Sequence, residues 1–590
     1  MMKILKYIAV IAGVSLTLQS CDDIFRDEPI DKLPDAAIWG DEQLLNEYTS
    51  GWYRHMDEGF YVLVSTAIKN NGVEYDPWFG DQLTVGRSDW YQSGYGEILK
   101  GSQSQITSRS RLKWEEYYTE IRAINLLMEH ENEIPSNVRK RLMGEAHFFR
   151  AWYYYTLWRR YGGVMIIDHS FNPLKEKEKF PRASFEEMVT FITDEAEKAA
   201  ALLEPTNQAS HVGRATRGAA LMLKGKAYFW AAGAHFQNVD KPYLGFPDDR
   251  SARMLDAAAK CYDRVEALHV YDLVPIAGTS RDEVVAAYRN IFLTKNSQES
   301  IWEVQHSDDG DFMYAFGHKL DRDASAPSFT GVNCAYNPTQ NHVDEYRMAN
   351  GKRIDEQGSG YDEDDPYVGR DYRFYANVLY DGAMWRGHEM DIHYTVVDGK
   401  EVAGADLTRY GSSTTASISR TGYYMAKFLR ENQTIDDNDT YASSQNCILW
   451  RYAEMLLDYA EIDYRLGRPG PALKKVNRIR ERVHMPALTS VTLDDILNER
   501  RVELAFEKTT YWDLLRLGEA EERMCGDTNP LFGVKIVYDE DGERSINMSR
   551  VVNGRNTRVR YFAPRQYFWP IAWDDVRYHG IPQNPDWTEV

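Results

Sequence analysis

Hydrophobic residues recur with a helical period in two blocks of the chain. Over 114–131 the apolar side chains fall on one helix face, and a second periodic run covers 137–160 after a break at Pro135. The same period predicts further helices at 184–203, 214–233, 251–268, 446–466, 470–483, 493–507 and 510–517. Such faces must be buried against one another, so the pattern predicts a mainly α fold of neighbouring helices.

The predicted helices form pairs. Ser184, with Glu187 three residues later, makes a capping box at the start of one helix. Its partner at 214–233 carries small residues, among them Gly218 and Gly225, which allow a neighbouring helix to approach closely. This spacing of small and aromatic residues resembles the tetratricopeptide helix hairpin, and stacked hairpins predict a superhelical scaffold. A plain helical bundle is the alternative.

The helical period is lost in the middle of the chain. Short apolar runs at 300–305, 335–341 and 375–382 are separated by polar turns and predict short strands in a loop-rich insertion. Long loops of this kind usually carry function. The end of the chain, rich in Pro and aromatic residues, predicts strands and turns. We therefore divide the chain into an N-terminal helical region, an insertion and a C-terminal region, at 35–270, 271–445 and 446–590.

The first residues have the pattern of an export signal. Lys3 and Lys6 precede an apolar run at 7–18, which is too short to span a bilayer and is typical of a secretory signal peptide covering 1–20. The run ends in Leu-Gln-Ser-Cys, which resembles the bacterial lipobox, so we expect cleavage before Cys21 and lipidation of its thiol. An ordinary cleaved signal with an incidental cysteine is the alternative.

An acidic segment follows Cys21. Residues 22–28 resemble the export signal of surface lipoproteins in Bacteroidetes-type bacteria, and 21–34 would link the lipid to the first helix. A solvated linker without a sorting role fits the same residues. Acyl chains on Cys21 would hold the protein on a membrane without a spanning helix, and no later apolar run of sufficient length exists in the sequence.

Charge and cysteine content exclude several classes of protein. Sixty-nine basic and 90 acidic residues give a net charge of −21, which argues against nucleic acid as a partner. The cysteines after Cys21 are widely spaced and form no CxxC motif, so they support neither a zinc site nor a disulfide scaffold. We predict mostly buried thiols, with one long-range disulfide possible; the four are Cys261, Cys334, Cys447 and Cys525.

Signatures of catalysis are absent from the sequence. It contains no HExxH, GxSxG or P-loop motif and no GxGxxG before a helix, and His388 and His393 are one residue too far apart for a zincin motif. The acidic clusters at 362–365 and 436–439 are more typical of solvated turns or a calcium loop than of a glycosidase pair. We predict no catalytic residue, no metal and no cofactor.

Aromatic residues make up 13% of the chain, and those in loops suit the binding of sugars. A sugar has an apolar face and a rim of hydroxyls, which calls for flat rings together with amide, carboxylate and guanidinium groups. The loop at 70–96 supplies these groups in Asn71, Asp76, Trp78, Arg87, Trp90, Tyr91 and Tyr95. The insertion adds Phe316, Tyr336, Asn337 and Trp385. We expect Trp78 and Trp90 to be stacking platforms; the alternative is that such rings cap the helical core.

Several segments together resemble the SusD/RagB family. The C-terminal runs LWRYAEMLLDYAEIDYRLG, KKVNRIRERVHMPAL and ILNERRVELAFEKTTYWDLLRLG follow one another in the family's order, and the chain closes with YFWPIAWDDVRYHGIPQNPDW. Upstream, WEEYYTEIRAINLLME and EAHFFRAWYYYTLWRRYGGVMII resemble the family's first helices. The resemblance thus covers nearly the whole chain. The sequence departs from the family pattern at His484, where Gly is usual, and at Ala572, where a second Pro is common.

The resemblance implies a SusD-like fold of four tetratricopeptide-like helix pairs with an inserted loop-rich region. It implies a lipoprotein on the outer face of the outer membrane that captures oligosaccharide or polysaccharide. The partner would be a SusC-like TonB-dependent transporter, and 70–96 would be a glycan-contacting region. A peptide-binding uptake lipoprotein of the same fold is the alternative, and a secreted glycoside hydrolase is a weaker one.

Overall fold

A computed structural model describes most of the chain and confirms a mainly helical protein. Helices account for 45% of it, above the third that is usual in globular proteins. The described residues are 38–54, 56, 60, 79–84, 113–170, 177–307, 317–329, 334–407, 418–432, 443–551 and 560–587. Cys21, the signal segment and most of 70–96 lie outside these ranges.

The N-terminal helices confirm the predicted pairs. Ser184 caps its helix through a complete capping box with Glu187, as the sequence predicts. The elements are α1 Glu42–Arg54, β1 Leu83–Thr84, α2 Trp114–Glu129, α3 Ser136–Tyr161, α4 Phe185–Leu202, α5 Arg217–Ala231 and α6 Ser251–Glu266. Consecutive helices from α2 to α6 pack on one another: α2 on α3, α3 on α4, α4 on α5 and α5 on α6. This stacking buries the apolar faces that the periodicity revealed.

The insertion begins with a helix that the sequence analysis missed. This helix, α7, covers Arg281–Leu293 and starts at a second capping box, formed by Ser280 and Glu283. The capping box was a readable signal. The other insertion elements are short: β2 Ser300–Val304, α8 Leu320–Asp323, β3 Asn337–Pro338, α9 Gln340–Val343, α10 Tyr372–Asn377, β4 Val378–Leu379, β5 Met384–Trp385, β6 His388–Glu389, β7 Tyr394–Val397, β8 Lys400–Ala403 and β9 Tyr424–Met425.

The C-terminal region opens with a strand where a helix was predicted. The run 446–466 divides into β10 Cys447–Arg451 and α11 Tyr452–Arg465. In β10, Trp450 pairs across the sheet with Trp302 of β2, and both indoles contact Trp152 of α3. This long-range aromatic contact overrides the local helical period. The remaining elements are α12 Pro469–Arg482, α13 Leu493–Glu503, α14 Thr510–Leu517, α15 Ala520–Met524, β11 Phe532–Tyr538, β12 Arg544–Arg550 and α16 Trp573–Asp575.

The three sequence regions share one hydrophobic core. Helix α11 of the C-terminal region packs on α6 of the N-terminal region and then on α12, which continues the stack of helices. The C-terminal region also contacts the insertion through a sheet. In this four-stranded sheet, ordered β12-β11-β7-β8, β11 pairs with β12 and with β7 of the insertion. The described helices include none that combines the length and the apolar character needed to cross a bilayer.

A buried network of charges joins the insertion to the C-terminal region. Arg451, 0% exposed, donates to Glu299 at 2.7 Å and to Glu503 at 2.9 Å. Arg482 pairs with the same two carboxylates, both at 2.6 Å. Arg373 of the insertion joins through Glu503 at 2.9 Å. Burial alone would raise the pKa of Glu503, but the surrounding guanidinium groups hold it well below its ordinary value.

The cysteines agree with the prediction of buried thiols. Cys261, Cys334 and Cys447 are buried, Cys525 is partly exposed, and all four are free. Burial raises the pKa of the Cys261 thiol to about 11, which makes it a poor nucleophile at neutral pH.

The small residues of α5 allow the close helix contact that the sequence predicts, and this contact is testable. A Cβ on Gly225 would lie 2.4 Å from Cε1 of Tyr262, a ring held by its hydrogen bond to Asp458 at 2.9 Å. We expect Gly225→Ala to lower the free energy of unfolding by about 1–3 kcal/mol in denaturant titrations. Gly51→Ala is the matched control, because Gly51 is also helical and its Cβ would meet nothing within 4 Å. Equal stability of both variants would contradict the packing argument.

His484 occupies a backbone position that favours glycine. Its φ is +61°, in the left-handed region, which explains the family's usual Gly at this turn. Ala572, with φ −57°, keeps a conformation that Pro also adopts, so this departure leaves the turn unchanged.

Replacing His484 should therefore stabilise the protein. The left-handed conformation costs a non-glycine residue about 1–2 kcal/mol, and the added flexibility of Gly in the unfolded chain returns about 0.5–1 kcal/mol. We expect His484→Gly to raise the free energy of unfolding by about 0.5–1 kcal/mol, with a higher Tm in calorimetry. His484→Ala keeps the strain and serves as the control; a Tm gain as large in that variant would refute the explanation.

Candidate functional site

The structure describes the centre of the predicted binding loop but not the residues predicted to contact ligand. Asn71, Asp76, Trp78, Arg87, Trp90, Tyr91 and Tyr95 lie outside the described residues, as does Phe316 of the insertion. Their role as ligand contacts stays a prediction. The described part, 79–84, lies between the two aromatic flanks of this loop, and we call it the loop base.

The loop base pairs with the insertion. Leu83 and Thr84 of β1 face Pro338 and Asn337 of β3 in an antiparallel register. Thr339 completes the contact, because its backbone N–H donates to the Gln82 carbonyl at 2.9 Å. Two regions that the sequence analysis selected separately as candidate ligand surfaces therefore lie side by side.

Charged side chains of the C-terminal helices clamp the loop base. Asp81, 4% exposed, accepts from Arg501 at 2.7 Å and from Arg523 at 3.1 Å. Glu345 of the insertion pairs with the same two guanidinium groups, at 2.6 and 2.8 Å. Burial would raise the pKa of the Asp81 carboxyl, but the two arginines outweigh it and hold this pKa well below the ordinary value.

Gln82 and Arg560 fix the backbone of the same segment. The Gln82 amide donates to the Arg501 carbonyl at 2.9 Å and accepts from the Phe506 N–H at 3.3 Å. Arg560, 4% exposed, donates to the carbonyls of Gly80 and Leu83. The loop base is thus held by the insertion, by the α13–α15 region and by the last part of the chain, before any ligand binds.

Tyr336 and Trp385 are inside the protein. Each is 1% exposed, so neither ring offers the open face that the sequence analysis expected of it. Trp385 lies against the guanidinium groups of Arg289 and Arg386, 4.9 and 5.4 Å from its ring centroid. Asn337 is fully buried, and its amide donates to the Cys334 carbonyl at 3.1 Å. Of these three residues, Asn337 pairs with Thr84 of the loop base through its strand.

Tyr561 is an exposed ring that the sequence analysis missed. It is 43% exposed, and it directly follows Arg560, whose side chain holds the loop base. The signal was available, since Tyr561 stands in the strongly basic run RNTRVRYF. Among the described residues, Tyr578 is the other aromatic side chain with comparable exposure, at 39%.

Two acidic clusters are seen in the described part of the chain. Asp362–365 is an exposed turn in which the Asp364 N–H donates to Asp362 at 3.0 Å, and 436–439 lies outside the description. Asp381, Asp391 and His393 bring three possible metal ligands together. The imidazole lies between the two carboxylates, at 2.7 Å to Asp381 and 3.3 Å to Asp391.

Comparisons with known proteins agree with this architecture. Residues 298–587 match the model of the SusD family, and residues 42–229 match a family model described as starch-binding and associating with the outer membrane. The chain is 22% identical over 546 residues to a SusD-like protein of Formosa agariphila, covering 88% of this chain and 92% of that one. It is also 22% identical over 527 residues to a SusD-like protein of Bacteroides ovatus, with 86% and 81% coverage.

Solved structures show the same fold. A SusD-like protein of Bacteroides fragilis superposes with a TM-score of 0.72 at 25% identity, covering 95% of this chain and all of that one. A SusD-like carbohydrate-binding protein of the same species gives 0.70 at 20% identity, with 92% and 99% coverage. A surface glycan-binding protein of Bacteroides uniformis gives 0.61 at 18% identity, with 92% and 99% coverage. The chain belongs to the SusD/RagB family.

Proposed function

We propose that this protein captures oligosaccharide or polysaccharide at the outer surface of the outer membrane and delivers it to a SusC-like TonB-dependent transporter. The observation that carries the proposal is the clamped loop base. A rigid segment, fixed on three sides, lies between two flanks rich in the residue types that sugars require. Similar proteins named as carbohydrate-binding and surface glycan-binding support the choice of ligand class.

The two tryptophans are close to this base in sequence. Trp78 directly precedes Phe79, and Trp90 follows Thr84 by a short polar segment. A rigid base reduces the conformational entropy lost when a ligand orders the flanking residues. Tyr561 adds an exposed phenol next to Arg560 on the same clamp. We infer that these three rings form the stacking surface and that Arg87 and Asn71 contact sugar hydroxyls.

Attachment and partner belong to the same proposal. Lipidated Cys21 would tether the protein to the outer membrane, in agreement with the family model described as outer-membrane associated. The stacked helices give a long rigid face for docking on the transporter. We propose binding without turnover, because the sequence lacks catalytic signatures and the acidic cluster at 362–365 is an exposed turn.

Removing either tryptophan should weaken glycan binding. A panel of polysaccharides, beginning with starch, is cast into native gels to find one that retards the protein. An oligosaccharide from that polysaccharide is then titrated into the protein by calorimetry. We expect Trp78→Ala and Trp90→Ala each to weaken binding about ten- to a hundredfold, since an aromatic contact of this kind contributes about 1–3 kcal/mol. Tyr578→Ala is the exposed aromatic control.

The same samples separate the competing functions. Release of reducing ends from the retarding polysaccharide would show a hydrolase and overturn the binding proposal. Retardation by no polysaccharide, with calorimetric binding of basic peptides instead, would favour the peptide-uptake alternative. Unchanged affinity in both tryptophan variants would refute the placement of the stacking surface.

The loop base should depend on Asp81. Asp81→Asn leaves Glu345 as the one carboxylate of the described residues that Arg501 and Arg523 share, so a buried positive charge is no longer neutralised, and we expect the unfolding free energy at pH 7 to fall by about 3–5 kcal/mol. Because the folded pKa of Asp81 is depressed, its contribution is complete above the unfolded value near 4. The difference from the wild type should therefore shrink as the pH falls below about 4.

A surface ion pair provides the control for this substitution. Asp256→Asn removes a carboxylate that pairs with Lys260 on an exposed helix face, where the change should stay below about 1 kcal/mol. A loss equally small for Asp81→Asn would show that the clamp does not hold the loop base.

A further inference from the structure

A half-open cavity of about 60 Å³ lies between α3, α5, β10 and α14. A single water needs about 10–15 Å³, so the cavity has room for a group of several heavy atoms. Its walls are aromatic, including Trp152, Phe229 and Trp230. Its mouth is formed by partly exposed residues, among them Leu449 and Thr509.

Arg159 lies on the wall of this cavity without a hydrogen-bond partner. It is 9% exposed, and the rings of Tyr155 and Trp512 cover its guanidinium, with centroids 4.4 and 4.2 Å from Cζ. Its Nε is fully shielded and unbonded. No acceptor for any Arg159 nitrogen occurs among the residues that the structure describes. The rings contact the guanidinium without accepting a hydrogen bond in its plane, so its terminal N–H groups remain available to the cavity that Arg159 lines.

Three other cations that line the cavity are paired with carboxylates. Lys226 pairs with Glu454 and Asp458. Arg500 pairs with Asp458 and Asp513, and Arg516 pairs with Asp513 and with Glu461. A buried charge without such a partner is strongly unfavourable, and cation–π contacts compensate only part of the lost solvation. Arg159 therefore has the environment of a cation that awaits an anion.

We propose that the cavity binds a carboxylate group held by Arg159. The edge of a guanidinium matches a planar carboxylate with two parallel hydrogen bonds. Glu454, Glu507 and Asp513 also line the cavity, and their charge disfavours a doubly charged anion such as sulfate. The indole and phenyl walls suit the carbon atoms attached to the carboxylate. The carboxylate group belongs either to a small free acid or to a sugar acid whose ring stays at the mouth of the cavity. This inference does not rest on the loop proposed to bind glycan.

Calorimetric titration of the full chain tests the proposal with two probes. Sodium acetate represents the free acid and sodium glucuronate the sugar-borne carboxylate, with sodium chloride keeping the ionic strength constant. We expect saturable binding of at least one probe, no binding of glucose, and weaker binding of sulfate. Arg159→Gln should weaken the binding at least tenfold. Arg353→Gln, at an exposed ion pair, should leave it unchanged.

A second variant shows whether a loss of binding comes from the cavity or from a misfolded protein. Leu449→Trp retains Arg159 and fills the mouth from a partly exposed position, so it should also weaken binding at least tenfold. Thermal unfolding of each variant checks that it is folded. Binding of acetate alone assigns a small acid, and binding of glucuronate assigns an acidic sugar. Absence of saturable binding for both probes, tighter binding of sulfate, or unchanged binding in both variants would overturn the proposal.

Discussion

The buried charge network around Glu503 is the constraint on which the rest of the structure depends. Arg451, Arg482 and Arg373 reach its carboxylate from β10, from α12 and from the insertion. Removing such ions from water is costly, and the cost is offset only when every partner is present with good geometry. The network therefore requires the insertion and the C-terminal region to assemble together, although their sequences differ in character.

Helix α13 connects the helical stack to the candidate ligand surface. Two successive residues on it point to different partners. Arg500 pairs with Asp458 and Asp513 inside the helical stack, whereas Arg501 pairs with Asp81 and Glu345 at the loop base. A short segment of one helix thus belongs to both the scaffold and the clamp. The position of the loop base follows from the packing of the helices and does not require a ligand to organise it.

The sequence predicted what depends on local pattern and failed where distant contacts decide. The helical period and the Ser184 capping box located α4, and the glycines of α5 indicated the close approach of a neighbouring helix, which the structure shows at Tyr262. The run at 446–451 looks helical, but it forms a strand because Trp450 meets Trp302, which is far away in the chain. The burial of individual aromatic rings could not be predicted from the sequence either. Tyr336 and Trp385 stand in turn-rich sequence like exposed rings, and only the assembled fold covers them.

The placement of these rings bears on how the molecule divides its aromatic residues between stability and recognition. Trp385, Tyr336 and the indoles around Trp302 are buried, so their free energy of transfer from water stabilises the fold. The loop base is held both by burial of Phe79 and Leu83 in the core and by charge and hydrogen bonds from Asp81, Gln82 and Arg560. The base is thus fixed before any ligand binds, whereas the rings of Tyr336 and Trp385 are committed to the interior. This difference supports the proposal that recognition belongs to Trp78 and Trp90 rather than to the insertion.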